Sequence, residues 1–459
     1  MTADSPTTTS QLNRFQFPII GDLSTIDFNK PVQKVTDKLT KLGSGMIEQP
    51  IGQPVIFLAD TTLIDDVNDE THWEKHLGSA LRRVRSVLGD GLFTAYNHEP
   101  NWRKAHNILM PTFTKTAMKL YHDTMAETIR ELVDVWNRKS AVRAWITIPA
   151  DANRLTIEII ARVAMGYSFT KLSDSRENAF IAAFLRELAY ADRHTADIAQ
   201  ERKDQHNKDA TQIRRQVADI IRARRLNSTA GSRDDMLDII LHSTDPDTGD
   251  QLDNDNIISQ ILTLLVAGSE TSANAIAFAL HFLSINPNIA EQARAEIDEH
   301  WSNDTFPNIH FDDVDKLRYL RRVVDETLRL WPVVPGYFRQ ARQDTTIGTG
   351  KHFFRGGDWV FVHLIAAHRS DAWGHDAHEF NPDRFLPENL RKLPRRIYKP
   401  FGTGARACLG RRFALHETLL TLAAVLHQYD LEPRPGYCLS ASEAMTLKPV
   451  DLQLRLHRR

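Results

Sequence analysis

Between Trp102 and about Arg143, and again between Asp151 and about Arg225, apolar residues recur every three or four positions with charged residues between them. That is the period of helices that bury one face, and it predicts long surface helices over both stretches. QERKDQHNKD, residues 200–209, is almost wholly polar and reads as a solvated helix end or loop. NIISQILTLLVAGSETSANAIAFALHFLS, residues 256–284, is apolar on most faces, and a helix of that kind belongs at the centre of a protein. Pro287 ends it, and amphipathic helices follow over 289–300 and 315–330, the second closed by Trp331-Pro332. VIFLAD (55–60) and DWVFVHL (358–364) read as strands, residues 381–400 as irregular chain, and helix returns after Cys408. The pattern is mainly α with a small β-rich region. It contains no internal repeat and no dividing linker, so residues 13–459 are expected to form a single domain behind a flexible segment, 1–12.

Composition narrows the function classes. Hydrophobic residues make up 42% and charged residues 25% of the 459, enough apolar surface for a sizeable core and too much for a disordered chain. A net charge of -2 gives no global pull toward nucleic acid or an anionic membrane. Two cysteines, Cys408 and Cys438, cannot make a disulfide framework, which suits a reducing compartment. The polar start has no apolar leader, and no uninterrupted apolar run has the length of a membrane span, so a cytoplasmic location is expected.

Chemistry concentrates in KPFGTGARACLGRRFALHE, residues 399–417. A lone intracellular cysteine is most often a small buried hydrophobe. Here glycines at 402, 404 and 410 let the backbone fold tightly and approach a flat ligand. The helix that follows would point peptide N–H groups at the sulfur and favour the metal-binding thiolate. Phe401-Gly402-Thr403-Gly404-Ala405-Arg406-Ala407-Cys408-Leu409-Gly410 resembles the haem-binding loop of the cytochrome P450 monooxygenases, Phe-x-x-Gly-x-Arg-x-Cys-x-Gly, at every defined position. The resemblance implies the cytochrome P450 fold, a haem b cofactor contacted by Phe401, and Cys408 as the axial thiolate on iron.

Two further segments join that resemblance. Glu326-Thr327-Leu328-Arg329 could be an ordinary helix-face ion pair. It is similar to the family's Glu-x-x-Arg, whose third partner would be Arg384 in Asn381-Pro382-Asp383-Arg384-Phe385, making a structural triad. Ala267-Gly268-Ser269-Glu270-Thr271-Ser272 places a carboxylate and hydroxyls in the apolar central helix, where each needs a partner. Ser and Thr can bond back to their own helix carbonyls. The match to the family's segment implies instead that Glu270 and Thr271 relay protons toward dioxygen.

GDGLFTAYNHEPNWRKAHNILMPTF, residues 89–113, resembles the haem domain of the bacterial fatty-acid hydroxylases that are fused to a diflavin reductase. By that resemblance Trp102, His106, Arg406 and Lys75 hold the haem propionates, and Phe93, Ala267 and Val334 wall the substrate pocket. The hydroxylases anchor a substrate carboxylate through an Arg and a Tyr; this chain has Gln53 and Phe57 there, and Val334 is bulkier than the family's usual residue. The chain ends at Arg459, about where the haem domain ends, so NAD(P)H-derived electrons are expected from a separate ferredoxin or flavodoxin with its reductase. Arg103-Lys104, Arg391-Lys392, Arg395-Arg396, Lys399 and Arg411-Arg412 are the candidate docking charges.

The expected reaction uses dioxygen and two electrons to hydroxylate a small apolar substrate, either a long-chain fatty acid or derivative, or a neutral natural-product intermediate that is hydroxylated, desaturated or ring-closed. A peroxide-driven hydroxylase conflicts with the Glu-Thr pair. A haem-based sensor or electron carrier would need no such relay.

Overall fold

The computed structural model describes residues 30–43, 45–51, 53–174, 178–191, 200–227, 235–301, 309–443 and 445–459. The expected flexible segment 1–12 lies outside them, as does the side chain of Gln53. The chain groups into two compact units, neither continuous in sequence: residues up to His76 with Pro335–His378 and Leu393–Ala407, and Leu77–Val334 with Glu379–Lys392 and Cys408–Arg459.

The first unit is built on a five-stranded sheet in the order Met46–Ile51, Gln53–Leu58, Trp359–His363, Gly336–Ala341, Trp73–Lys75. Both strands expected from the sequence are in it, side by side and parallel, with Phe57 opposite Phe361. Alternation along the strands sends side chains to two cores. Leu58, Val360, Val362 and Trp73 fill one. Phe57 and Phe361 fill the other, with Val35 and Leu39 from the helix Pro31–Leu42. Gly336 is needed where two strands meet, since a Cβ there would lie 2.2 Å from the Val362 carbonyl oxygen.

The second unit is helical around Asn254–Ile285, capped by Asp253, whose carboxylate accepts from the Asn256 amide at 2.8 Å. Long and apolar enough to cross a membrane, this helix has 78% of its most apolar window buried inside the protein. It is a core helix, packed on Ile148–Met165, Arg411–Gln428 and Arg318–Leu330. Gly268 sets the first of these crossings: a Cβ there would sit 2.8 Å from Ile160 Cγ1.

The two long helical stretches expected from periodicity are each broken. Pro111 ends the helix Pro100–Leu109 in a short 3-10 turn, and Thr114 caps a new helix, Lys115–Ala141, accepting from the Ala117 amide at 3.3 Å. Gly166, left-handed at φ 57°, closes Ile148–Met165, and helix resumes as Ala179–Ala191 and Gln200–Asn227. The polar stretch 200–209 is thus the start of an exposed helix. Periodicity reports which face is buried, not where the backbone turns.

Candidate active site

The glycine-rich loop turns twice through left-handed backbone, at Gly402 (φ 68°) and Gly404 (φ 69°). Glu70 holds the second turn: its Oε1 accepts from the Ala405 amide at 2.8 Å and lies where a Cβ on Gly404 would have to go. After the 3-10 turn Gly404–Arg406 the chain reaches Cys408, and the helix Arg411–Gln428 begins three residues later. Cys408 is a free thiol with an exposed edge, yet it is recessed enough that burial pushes the thiol up from its ordinary range. The Gly410 amide donates to the sulfur and the Arg411 charge lies nearby, both pulling toward thiolate.

Lys75, at the end of its strand opposite Arg339, is pushed down to about 7 by burial and by the charge of Arg406. A buried ammonium with a second cation beside it suits an anionic ligand group. Trp102 and His106 sit one turn apart on Pro100–Leu109, rings 5.2 Å apart, with the exposed Arg103 over the Trp102 ring at 5.4 Å. The thiol on its glycine loop is the donor type that takes haem iron, and the paired cations are the type that takes haem propionates.

Glu326, Arg329 and Arg384 are joined and buried. Arg329 donates from Nε to Glu326 Oε2 at 2.6 Å and from Nη2 to Oε1 at 2.8 Å, and to the Glu379 carbonyl at 3.1 Å. Arg384 Nε lies 3.4 Å from Glu326 Oε1, and the Asn381 amide donates to the same oxygen at 2.9 Å. The bland alternative, a solvated surface pair, is excluded.

In the central helix the Thr271 hydroxyl donates back to the Ala267 carbonyl at 2.6 Å. The Ser269 carbonyl instead accepts from the Thr156 hydroxyl of the neighbouring helix at 2.8 Å. Burial holds Glu270 above the usual carboxylate range, offset in part by Lys448 and by a hydrogen bond with Thr446. Thr446 also accepts from Asn274 Nδ2 at 3.2 Å, and the next amide, Leu447, donates to the Val333 carbonyl at 2.8 Å. Residues 446–447 therefore tie the helix of Glu270 to the segment that carries the half-buried Val334. Phe93 is half-buried on a turn, and Ala267 is exposed.

Phe57 is a core ring, 5% exposed and edge-on to Phe361 at 5.4 Å. Lys399, grouped above with the surface cations, is buried and paired with Asp65 at 3.0 Å, while Lys104 is held by Asp250 at 3.2 Å. Arg103, Arg391, Lys392, Arg395, Arg396, Arg411 and Arg412 are exposed.

A family model described as Cytochrome P450 matches residues 13–454. The chain belongs to the cytochrome P450 family. That makes haem iron its cofactor. A bifunctional cytochrome P450/NADPH–P450 reductase of Bacillus cereus is 37% identical over 95% of this chain and 41% of its own length. A second, from Bacillus subtilis, is 36% identical over 96% of this chain and 42% of its own. This P450 thus spans about two-fifths of the length of the curated relatives it matches. The crystal structure of a cytochrome P450, CYP102L1, superimposes with a TM-score of 0.92 at 56% identity, covering 97% of this chain and 98% of that one.

Four P450 residues escaped the sequence reading: Glu70, Thr446, Lys448 and Glu417. Glu417 is fully buried on Arg411–Gln428, and burial pushes its carboxyl up to about 8. Ser272 approaches and pulls the other way, yet closes no hydrogen bond of normal geometry, so among the described residues both carboxyl oxygens, the Ser272 hydroxyl and the Thr421 hydroxyl have no side-chain or backbone partner. Only the charge of Glu417 within an apolar helix face could have signalled it.

Proposed function

We propose that this chain is the haem domain of a monooxygenase that hydroxylates an apolar substrate with dioxygen and two electrons derived from NAD(P)H. The haem, when bound to Cys408, supplies oxygen activation. Phe401, Arg406, Lys75, Trp102 and His106 are assigned to holding the cofactor, the last four at its propionates. The observation that carries the reading is the acid–alcohol pair. Glu270, next in sequence to Thr271, is held by burial above the usual carboxylate range with Thr446 as its hydrogen-bond partner, and the Thr271 hydroxyl rests on the Ala267 carbonyl; a sensor or electron carrier would not require such a pair. Glu326, Arg329 and Arg384 maintain the fold.

The pocket wall is assigned to Phe93, Ala267 and Val334. A long-chain fatty acid or derivative is one substrate class. The other, a neutral natural-product intermediate, is favoured because the chain has Gln53 and Phe57 where the resembling hydroxylases anchor a substrate carboxylate through an Arg and a Tyr. Electrons are assigned to a separate ferredoxin or flavodoxin with its reductase, docking on exposed cations such as Arg103, Arg411 and Arg412. The fused reductases named in the relatives give the competing arrangement, in which the donor is part of the same chain. The two free cysteines suit the cytoplasm.

The test supplies the haem-loaded chain with NADPH, a ferredoxin or flavodoxin and its reductase, apolar candidate substrates, and isotopically labelled dioxygen. One labelled oxygen atom per product molecule is expected. Equal turnover with hydrogen peroxide alone would overturn the dioxygen assignment, and the absence of a Soret shift with every apolar ligand would favour the sensor. Turnover only after fusion to a reductase would reject the separate donor.

A further inference from the structure

Gln260 lies within the apolar central helix and is fully buried. A carboxamide in that setting is costly unless its donors and acceptor are matched. Its Oε1 accepts from the Leu92 amide at 3.0 Å, and its Nε2 donates to Asn256 Oδ1 at 2.9 Å. Asn256, one turn away and equally buried, donates to Asp90 Oδ1 at 2.8 Å, and Asn101 donates to the other Asp90 oxygen at 2.7 Å. The chain of bonds leaves the loop at Leu92 and returns to it at Asp90.

Phe93 follows Leu92 directly, and the residue after it is held as well. The Thr94 carbonyl accepts from Arg85 Nη1 at 2.8 Å, and the Thr94 hydroxyl donates to the Gly89 carbonyl at 2.8 Å. Arg85 is itself held by Glu99, which accepts from the Tyr96 amide at 2.7 Å. Gly91 is pressed against the helix so closely that a Cβ would fall 2.1 Å from Thr263 Oγ1. A turn fixed at 91, 92 and 94 leaves little freedom in the direction of the Phe93 side chain. Helix packing alone would be served by a leucine or methionine at 260; the carboxamide serves the loop.

We propose that Gln260 is a positioning residue that sets the placement of Phe93 from the central helix and thereby the size and shape of molecule the site accepts. The inference rests on Phe93 being a pocket-wall residue. Asn256 and Asp90 extend the same brace, holding Gln260 in the rotamer that reaches Leu92.

Five forms of the haem-loaded chain test this: the unaltered protein, Gln260→Met, Gln260→Glu, Phe93→Ala and the Gln260→Met/Phe93→Ala double variant. Dissociation constants are read from the Soret shift with imidazole, which needs little of the pocket, and with 1-dodecylimidazole, which needs much of it. Gln260→Met should raise the dodecylimidazole-to-imidazole ratio of dissociation constants about tenfold, and should add less than twofold in the Phe93→Ala background, where the positioned ring is gone. Gln260→Glu, protonated in this setting and still offering an oxygen to Leu92, should restore most of the ratio. Amide hydrogen exchange of residues 89–96 should quicken at least tenfold in Gln260→Met and not in Gln260→Glu. Full additivity in the double variant, or an unchanged ratio in Gln260→Met, overturns the proposal. If Phe93→Ala alone leaves the ratio unchanged, the pocket-wall reading fails first and this one with it. Should the Met variant not fold, Gln260→Asn, too short to reach Leu92, takes its place with the same expected outcomes.

Discussion

Replacing Glu417 by Gln should stabilise the protein, and by an amount that grows with pH. The carboxyl is wholly buried, makes no hydrogen bond of normal geometry among the described residues, and is pushed from the ordinary 4.5 to about 8. In the unfolded chain it ionises near its ordinary value, whereas the folded chain keeps it protonated until pH 8. Between those limits the folded state binds the extra proton, so the stability of the unaltered protein falls as pH rises. At about 1.36 kcal/mol per pH unit, the cost relative to a neutral side chain is roughly 1 kcal/mol at pH 5 and roughly 4 kcal/mol at pH 8. Gln has nothing to ionise, matches the shape, and can donate to the unpartnered hydroxyls of Ser272 and Thr421. Equilibrium urea unfolding of the haem-loaded protein, followed by tryptophan fluorescence at pH 5, 6.5 and 8, should show the advantage of the Glu417→Gln variant widening by roughly 3 kcal/mol across the series. Parallel stability curves would show that the carboxyl is solvated or paired in the fold and would refute the reasoning.

Removing one member of the buried triad leaves an uncompensated charge, so Glu326→Ala should cost about 3–5 kcal/mol and abolish recovery of haem-loaded protein, read from the Soret-to-280 nm absorbance ratio. Gly268→Ala should cost about 1–3 kcal/mol through the clash with Ile160, and combining it with Ile160→Ala should cost clearly less than the sum in a urea-unfolding cycle. Glu70→Ala removes the carboxylate that holds Ala405; with Glu70 exposed, the loss should be only about 1 kcal/mol, seen as faster haem transfer to apomyoglobin. Cys408→Ser should move the reduced CO-bound absorption away from the thiolate position while leaving the far-ultraviolet dichroism intact.

How much of this was legible in the chain follows from the range of the interactions. The Cys408 loop could be read because glycine spacing and the following helix are local, and a ten-residue motif carries most of the chemistry. Glu326 and Arg329 could be read because they lie on one helix turn, and Arg384 because its own segment is recognisable. The helix ends were missed at Pro111 and Gly166, where the apolar period continues across a break and only the backbone changes direction. Phe57 matches a pocket position of the resembling hydroxylases, but in the fold the strand period turns it into the core beneath Pro31–Leu42. Lys399 looked like its neighbouring surface cations, but its partner Asp65 is more than three hundred residues away.

The residues that sequence could not supply are those that satisfy a buried polar group from a distance. Glu270 needs a partner in an apolar helix, and the sequence states the need but not the donor; the donor is Thr446, on a segment that also bonds the Val333 carbonyl. Gln260 poses the same problem and is answered by Leu92, on the turn of Phe93. In each case a polar side chain in the central helix is matched to backbone or hydroxyl groups beside a residue assigned to the pocket. Packing would have favoured apolar residues at both positions, since a missed bond there costs about 1–3 kcal/mol. Two such risks in one helix, both resolved toward the same few side chains, argue that this helix is shaped for holding a site in register rather than for stability alone.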